Sequence, residues 1–259
     1  MPPKNVIISF GRSAYDANQK GALMVEWNHH RIERPYRAGE GGEANHAGLS
    51  ATLLRLIREE PLHDRTILDV GCGSGRLTFT LAKEVGRVIG IDRANEGIER
   101  ARQRAAALRL DHVMFHCLDA EAIDYRDLGP ISFVVANLCM SDEILRRAAA
   151  VLSPGHAIAF AAFHLDQWKE SGKISQYAYG EGQVEAVLSE ARFKPVYLGV
   201  EREVLSLATP DEGLAYLEAA GLTGKWKADG RWQGFVIYLQ RGGRELTVRA
   251  RVIVKARRR

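Results

Sequence analysis

The chain has 259 residues, 46% hydrophobic and 26% charged, with a formal net charge of +4 and three cysteines. That composition excludes collagen-like, low-complexity and wholly disordered chains, and the length is ample for a sizeable core. The longest apolar runs, at 131–136 and 158–163, are strand-sized and far short of the roughly 18 residues that a membrane span needs.

Met1-Pro2-Pro3-Lys4-Asn5 shows no signal-peptide core, so a cytoplasmic location is expected. Residues 1–46 are polar and irregular and carry Trp27, His29, His30, Tyr36 and a Gly39-Glu40-Gly41-Gly42 stretch. Over 47–60, Leu49, Leu53, Leu56 and Ile57 recur at helical spacing, and Pro61 stops that helix. From Thr66 strands and helices alternate. Strands are expected at 66–70, 87–91, 113–117, 131–136 and 156–163, and helices at 77–83, 94–108 and 142–152. Near-continuous apolar strands separated by helices imply a parallel sheet covered on both faces. Past Phe163 the pattern gives a helix at 181–191, a long β-rich stretch at 194–207, a helix at 210–221 and a final strand at 246–255. Residues 210–243 are then an insertion between two terminal strands, with Trp226, Trp232, Phe235 and Tyr238 giving it mass. Trp232, Phe235 and Leu239 fit one helical face that packs onto the sheet. Lys255-Ala256-Arg257-Arg258-Arg259 reads as a solvated basic tail. Cys72, Cys117 and Cys139 are widely spaced and odd in number, which fits a reducing compartment rather than a disulfide framework.

The informative stretch is Ile67-Leu68-Asp69-Val70-Gly71-Cys72-Gly73-Ser74-Gly75-Arg76. A buried strand runs into three alternating glycines and then a helix, at the strand end where open parallel sheets bind ligands. A phosphate-binding loop needs a Lys after its last glycine, and Arg76-Leu77 stands there instead. A dinucleotide loop places its third glycine one position later than Gly75. Asp69 just ahead of the glycines repels a pyrophosphate but suits a cationic ligand such as an amino group. Asp92 follows about 20 residues on, where a carboxylate accepts the hydroxyls of a ribose; it is equally placed to cap the next helix. Asp119 ends the third strand, where an acid meets an adenine amino group. Together they describe a ligand with an amino acid end, a ribose and an adenine.

Leu68-Asp69-Val70-Gly71-Cys72-Gly73-Ser74-Gly75 resembles the signature loop of class I S-adenosylmethionine-dependent methyltransferases. Ile91-Asp92 is similar to their second motif and Leu118-Asp119-Ala120-Glu121 to their third. Leu152-Ser153-Pro154-Gly155-His156 is similar to the approach to their fifth strand, with His156 in place of a second glycine. The resemblance covers roughly residues 50–200. It implies a Rossmann-like α/β fold: a seven-stranded, mostly parallel sheet with the last strand antiparallel and helices on both faces. It implies a division into an N-terminal lid or substrate segment (1–46), a cofactor-binding core (47–209), a helical insertion (210–243) and a last strand with a basic tail (244–259). The cofactor implied is S-adenosyl-L-methionine. Asp69, Gly71, Cys72 and Gly73 would line its methionine and ribose region, Asp92 would hold the ribose, and Arg93 would lie beside the adenine. Asp119 and Ala120 would meet the adenine edge. Glu121 is either a ligand contact or a solvated carboxylate, and Asn137 either faces the transferring methyl or forms a turn.

Methyl transfer from a sulfonium needs position and a dry site more than it needs a catalytic group. Ala136-Asn137-Leu138-Cys139-Met140-Ser141 is neither the Asn-Pro-Pro-Tyr stretch of exocyclic-amine methylation nor the Pro-Cys pair of cytosine C5 enzymes, so Cys139 is read as a buried structural thiol. His164, just past the fifth strand, is the candidate base. His29, His30 and His46, and His112 with His116, show no recognised ligand spacing, so no metal is expected. Tyr15 and Tyr36 are candidates to cover the cofactor. Tyr15-Asp16 and the stretch after strand four are similar to small-molecule methyltransferases of the ubiquinone and menaquinone biosynthesis type, and a small-molecule acceptor is expected. The insertion between the last strands also resembles malonyl-carrier-protein O-methyltransferases, and the net positive charge suits an acidic carrier protein or RNA. From another class, a nicotinamide oxidoreductase shares the fold, and a catalytically silent nucleotide-binding module shares the loop. No membrane partner is expected, and oligomeric state is left open.

Overall fold

A computed structural model describes residues 25–38 and 48–259; Tyr15, Asp16, His46 and the 39–42 stretch lie outside the described residues. An edge strand, β1 (Trp27–Pro35), is followed by α1 (Ala51–Arg58). The alternating part then runs β2 (Thr66–Val70), α2 (Arg76–Leu81), β3 (Arg87–Asp92), α3 (Asn95–Ala107), β4 (Val113–Cys117), β5 (Phe133–Asn137), α4 (Asp142–Val151) and β6 (Ala157–His164). The C-terminal part holds β7 (Ala178–Tyr179), α5 (Glu181–Glu190), β8 (Phe193–Ser206), α6 (Pro210–Ala219), α7 (Thr223–Asp229), α8 (Arg231–Gln240) and β9 (Glu245–Arg258). Local chemistry fixes several starts. Ser50 and Ser141 accept the Leu53 and Ile144 N–H groups at 3.0 and 3.3 Å, and Thr209 caps α6 with Pro210 behind it.

The sheet order is β1-β8-β9-β6-β5-β2-β3-β4, with β7 beside β6. Every pairing is parallel except those of β9 with β6 and β8. Side chains alternate between two packed faces. Leu68, Val134, Ala136, Ile158 and Phe160 meet α4 and α5, while Ile67, Phe133, Val135, Ala157 and Ala159 meet α1, α2 and α3. Both faces are buried, which is why the strands read as unbroken apolar runs. This is the expected Rossmann-like fold with an antiparallel last strand.

The strand count differs: nine among the described residues rather than seven. β1 lies in the segment read as irregular. It pairs with β8 from Trp27 opposite Leu198 to Pro35 opposite Ser206. It has no face to bury, so its sequence is polar and no alternation marks it. β7 pairs only at Phe163 and His164, on the side of β6 that β5 leaves when it ends at Asn137. The basic tail is also corrected, because β9 runs to Arg258 between β6 and β8. Lys255 is 2% exposed. Its ammonium donates to the Leu56 carbonyl at 2.9 Å and pairs with Glu60 at 2.8 Å, while Arg257 meets Glu60 at 2.7 Å. A central strand covered by α1 tolerates these cations because carbonyl and carboxylate partners stand at the end of that helix.

A separate small core lies where β8 and β9 extend past the rest of the sheet. Trp226, Phe235, Tyr216, Leu217 and Leu239 of α6–α8 pack on Leu205, Leu246 and Val248. Phe235 and Leu239 are buried as the helical face predicted, whereas Trp232 is only partly covered and lies under the Lys227 ammonium. Among the described residues no helix is long and apolar enough to cross a membrane.

Candidate functional site

The turn after β2 is tied to β3. The Gly71 and Cys72 N–H groups both donate to the Ile91 carbonyl, at 2.8 and 3.0 Å. Gly71 has φ +68°, and a Cβ there would lie 2.2 Å from both Cβ and Sγ of Cys139. The bare backbone is required by conformation and by that contact. Gly73 has φ +54° and faces open space, with no atom within 4 Å of a would-be Cβ. Its N–H donates to Asp92 Oδ2 at 2.8 Å, while Asp92 Oδ1 accepts the Ala94 N–H at 2.8 Å. The Asp92 carboxylate therefore clamps the glycine turn to the start of α3. Each of its oxygens keeps a lone pair for a further donor.

Beside the turn is a cavity of about 290 Å³. Of the residues named from sequence, Gly71, Asp92, Arg93, Asp119, Ala120 and Glu121 line it. Asp119 is shaped by its own turn, with Oδ1 accepting the Glu121 N–H at 2.9 Å. The opposite wall is apolar: Leu138, Met140, Ile144, Ala162, Phe163 and Tyr177. Leu138 holds φ +60°, a conformation that costs a branched side chain about 1–3 kcal/mol. Its N–H is fixed by the Ala161 carbonyl at 2.7 Å. Tyr177 arrives just ahead of β7, whose Tyr179 hydroxyl donates to Asp142 at 2.7 Å.

Asp69, Cys72, Gly73, Asn137 and His164 do not line this cavity. Asp69 is 1% exposed and lies under the turn, where its Oδ2 accepts the Thr78 hydroxyl at 2.6 Å. Burial pushes its carboxyl up to about 7. Cys72 is buried, which pushes its thiol well up. Asn137 is half-buried at the end of β5, and its Oδ1 is buried without a hydrogen bond. His164 is enclosed rather than presented. It is 3% exposed, with Glu181 at 3.3 Å from Nε2 and the Asp166 N–H donating to Nδ1 at 3.1 Å. Arg202 closes the cluster by pairing with Asp166 at 2.6 Å. With both ring nitrogens engaged and the side chain buried, His164 is not presented to the cavity. Cys139 is also corrected. It is half-buried and lines the cavity, and burial together with Asp92 and Asp69 raises its thiol to about 11. Sequence reasoning singled out the 136–141 stretch for acceptor chemistry without naming Leu138 and Met140 as wall residues, and it missed Tyr177, which no local signal marks.

The residues suit the implied cofactor on this chain's own features. The Gly73 backbone is open, Asp92 and Asp119 are acceptors at the cavity, and Asn137 offers an unfilled acceptor at the end of β5. Among the described residues no group of three His, Cys, Asp or Glu side chains is placed to hold a metal.

Comparison with known proteins gives the same direction. Residues 62–213 match the family described as "Methyltransferase domain". A 2-phytyl-1,4-naphtoquinone methyltransferase from Synechococcus elongatus is 30% identical over 181 residues, covering 61% of this chain and 76% of the relative. A malonyl-[acyl-carrier protein] O-methyltransferase from Halorhodospira halophila is 28% identical, covering 65% of this chain and 62% of the relative. In fold, the geranyl diphosphate C-methyltransferase of Streptomyces coelicolor superposes with a TM-score of 0.52 at 17% identity, covering 87% of this chain and 93% of that one.

Proposed function

The chain belongs to the methyltransferase-domain family and is an S-adenosylmethionine-dependent methyltransferase, and we propose that it methylates a small, largely apolar molecule bound against Leu138, Phe163 and Tyr177. One observation carries this reading: a single cavity has the glycine turn, Asp92 and Asp119 on one side and an apolar wall on the other. When bound, S-adenosylmethionine supplies a methyl group already activated on sulfur. In this reading Gly71 and Gly73 give the ligand a bare backbone, Asp92 accepts the ribose hydroxyls, and Asp119 with Arg93 flanks the adenine. Asn137 accepts from the amino acid end. Leu138, Met140 and Phe163 keep water out and hold the acceptor in line, which is most of what a displacement of this kind requires. No general base is assigned. The insertion at 210–243 and the segment around β1 are assigned to the acceptor side of a core spanning α1 to β9.

The test has two parts. Calorimetry should show binding of S-adenosylmethionine and its demethylated product, with little for NAD. Tight NAD binding without them overturns the cofactor assignment for this chain. Incubation of the protein with methyl-labelled donor and a fractionated cell extract should then put label in the small-molecule fraction. Label in the protein or RNA fraction instead would replace the small molecule by an acidic carrier or a nucleic acid.

A further inference from the structure

His164 is a buried titratable side chain to which the transfer reaction gives no task. It ends β6 and is 3% exposed. The Asp166 N–H donates to Nδ1 at 3.1 Å, so the hydrogen-bond network assigns the ring proton to Nε2, which stands 3.3 Å from Glu181 Oε2. Asp166 Oδ2 also lies 3.4 Å from Nδ1, but the Arg202 Nε–H already donates to it at 2.6 Å. Arg202 further reaches Glu181 Oε1 at 3.8 Å and His29 Nδ1 at 3.2 Å. One buried imidazole thus joins the end of β6 to the start of α5, and one guanidinium ties both to β8 and β1. A buried polar network whose members are partnered specifies one arrangement of the elements that carry it.

What that arrangement holds is β7. β7 pairs with β6 at two positions, Phe163 opposite Ala178 and His164 opposite Tyr179, and the Leu165 N–H donates to the Tyr179 carbonyl at 3.2 Å. Two positions are too few to fix a register by themselves. A slip of one residue turns every side chain of β7 to the opposite face. It also carries Glu181, which opens α5 just past β7, about 3.3 Å along the strand and out of reach of Nε2. Tyr177, just ahead of β7, lines the cavity while 62% exposed, so its own packing does little to keep it there. We propose that His164 is a positioning residue that locks the register of β7 through Glu181 and thereby holds Tyr177 in the acceptor wall. This rests on the acceptor reading above. His164 touches neither donor nor acceptor and moves no proton.

The experiment compares His164→Leu, His164→Gln and Glu181→Ala in the full chain. Gln keeps an N–H donor near the place of Nε2 and should restore what Leu loses. Glu181 is partly exposed, so Glu181→Ala carries the test if His164→Leu does not fold. Amide hydrogen exchange over 175–181 should be at least about tenfold faster in His164→Leu and Glu181→Ala, near wild type in His164→Gln, and unchanged over 142–151 in all three. Transfer from methyl-labelled donor is then followed against a dilution series of the small-molecule fraction of a cell extract. His164→Leu and Glu181→Ala should raise the half-saturating amount about fivefold or more, with maximal rate and S-adenosylmethionine affinity within about twofold of wild type. In a Tyr177→Ala background, His164→Leu should add nothing to that rise, because residues acting through one wall are not additive. Unchanged exchange over 175–181 overturns the proposal. So do effects of His164→Leu and Tyr177→Ala that multiply, or a lower melting temperature with half-saturation unmoved, which is the mark of a role confined to stability. Absence of label in the small-molecule fraction with wild type overturns the acceptor reading instead, and the exchange result still decides whether His164 holds β7.

Discussion

At the scale of single residues, the site is built from backbone positions that admit no side chain and carboxylates that do two jobs. Gly71→Val would drive its Cβ into Cys139 and force a branched residue to φ +68°, so the variant should stay folded by circular dichroism yet show no measurable S-adenosylmethionine binding. Unchanged affinity in a folded variant would exclude the turn from the site. Asp92 has the capping role its position allowed and stands where the proposed ribose contact would be made. It serves the start of α3 through Ala94, and it also holds Gly73 and lines the cavity. Asp92→Ala should therefore lose at least tenfold in cofactor affinity, from roughly 1.5–3 kcal/mol of charged acceptor bonds. It should also lose about 1 kcal/mol of stability in the ligand-free protein. Thermal melting with and without ligand separates the two, and a loss of stability alone would leave Asp92 as a cap. For Asp69 the sign is opposite to that of a salt-bridged acid. Its folded-state carboxyl is raised from 3.8 to about 7, so its contribution is fully present below pH 4 and is lost as pH rises through 7. Without ligand, Asp69→Asn should gain on wild type between pH 5 and pH 8 by about 2–3 kcal/mol, which is the roughly two units between pH 5 and 7 at 1.36 kcal/mol per unit. Urea denaturation at the two pH values measures it, and an identical difference at both would place the carboxyl outside that range.

At the scale of elements, the informative contrast is between strands read correctly and those missed. β2, β3, β5 and β6 were legible because each buries both faces, as in the run Phe133-Val134-Val135-Ala136, and the edge strand β4 because Val113 and Phe115 alternate into the core. β1 was not legible, because Asn28-His29-His30-Arg31 becomes a strand only through pairing with β8, a contact about 170 residues distant in sequence. The site divides in the same way. Gly71, Asp92 and Asp119 follow from local turn chemistry at strand ends. Leu138 is held at φ +60° with its N–H on the Ala161 carbonyl of β6, and Tyr177 reaches the cavity just ahead of β7, which docks beside β6; neither contact is encoded locally. The basic C-terminus failed as a tail for a related reason: Lys255 and Arg257 are charged side chains of a central strand, and only the tertiary structure brings Glu60 to them. That pair yields a prediction at this scale. Lys255→Ala would leave Glu60 buried with Arg257 alone, and removing one partner of a buried pair costs about 3–5 kcal/mol. Urea denaturation should register most of that. A loss below about 1 kcal/mol would mean that Arg257 suffices.

For the molecule as a whole, the three packed clusters divide the labour. Two lie on the faces of the shared sheet and position the cavity, and neither can loosen without moving the strand ends that carry Gly71, Asp92 and Asp119. The third, under α6–α8, is centred on Trp226, which is fully buried and edge-on to Trp168 and Phe235, with centroids 5.5 and 5.7 Å away. It touches the rest of the chain through the extended ends of β8 and β9, through Tyr36 after β1, which stands edge-on to Tyr216 at 6.4 Å, and through the segment after β6 that leads on to Tyr177. Trp226→Ala removes the largest side chain of that cluster, and deletions of this size cost about 3–5 kcal/mol. The loss should be local, since stability in a protein with separable clusters is not uniform. Hydrogen exchange should show lost protection over 168–173 and 207–248 and unchanged protection over 66–164. S-adenosylmethionine affinity should stay within about twofold, because the residues proposed to face the cofactor sit at strand ends held by the other two clusters. Methyl transfer should fall further than affinity, because Lys173 bonds the Asp229 carbonyl of the insertion and Tyr177 lies four residues beyond it. If exchange instead rises across the whole sheet, the insertion is part of one cooperative unit and has no independent hold on the acceptor wall. If exchange is local but transfer is unaffected, Tyr177 is positioned by β7 alone.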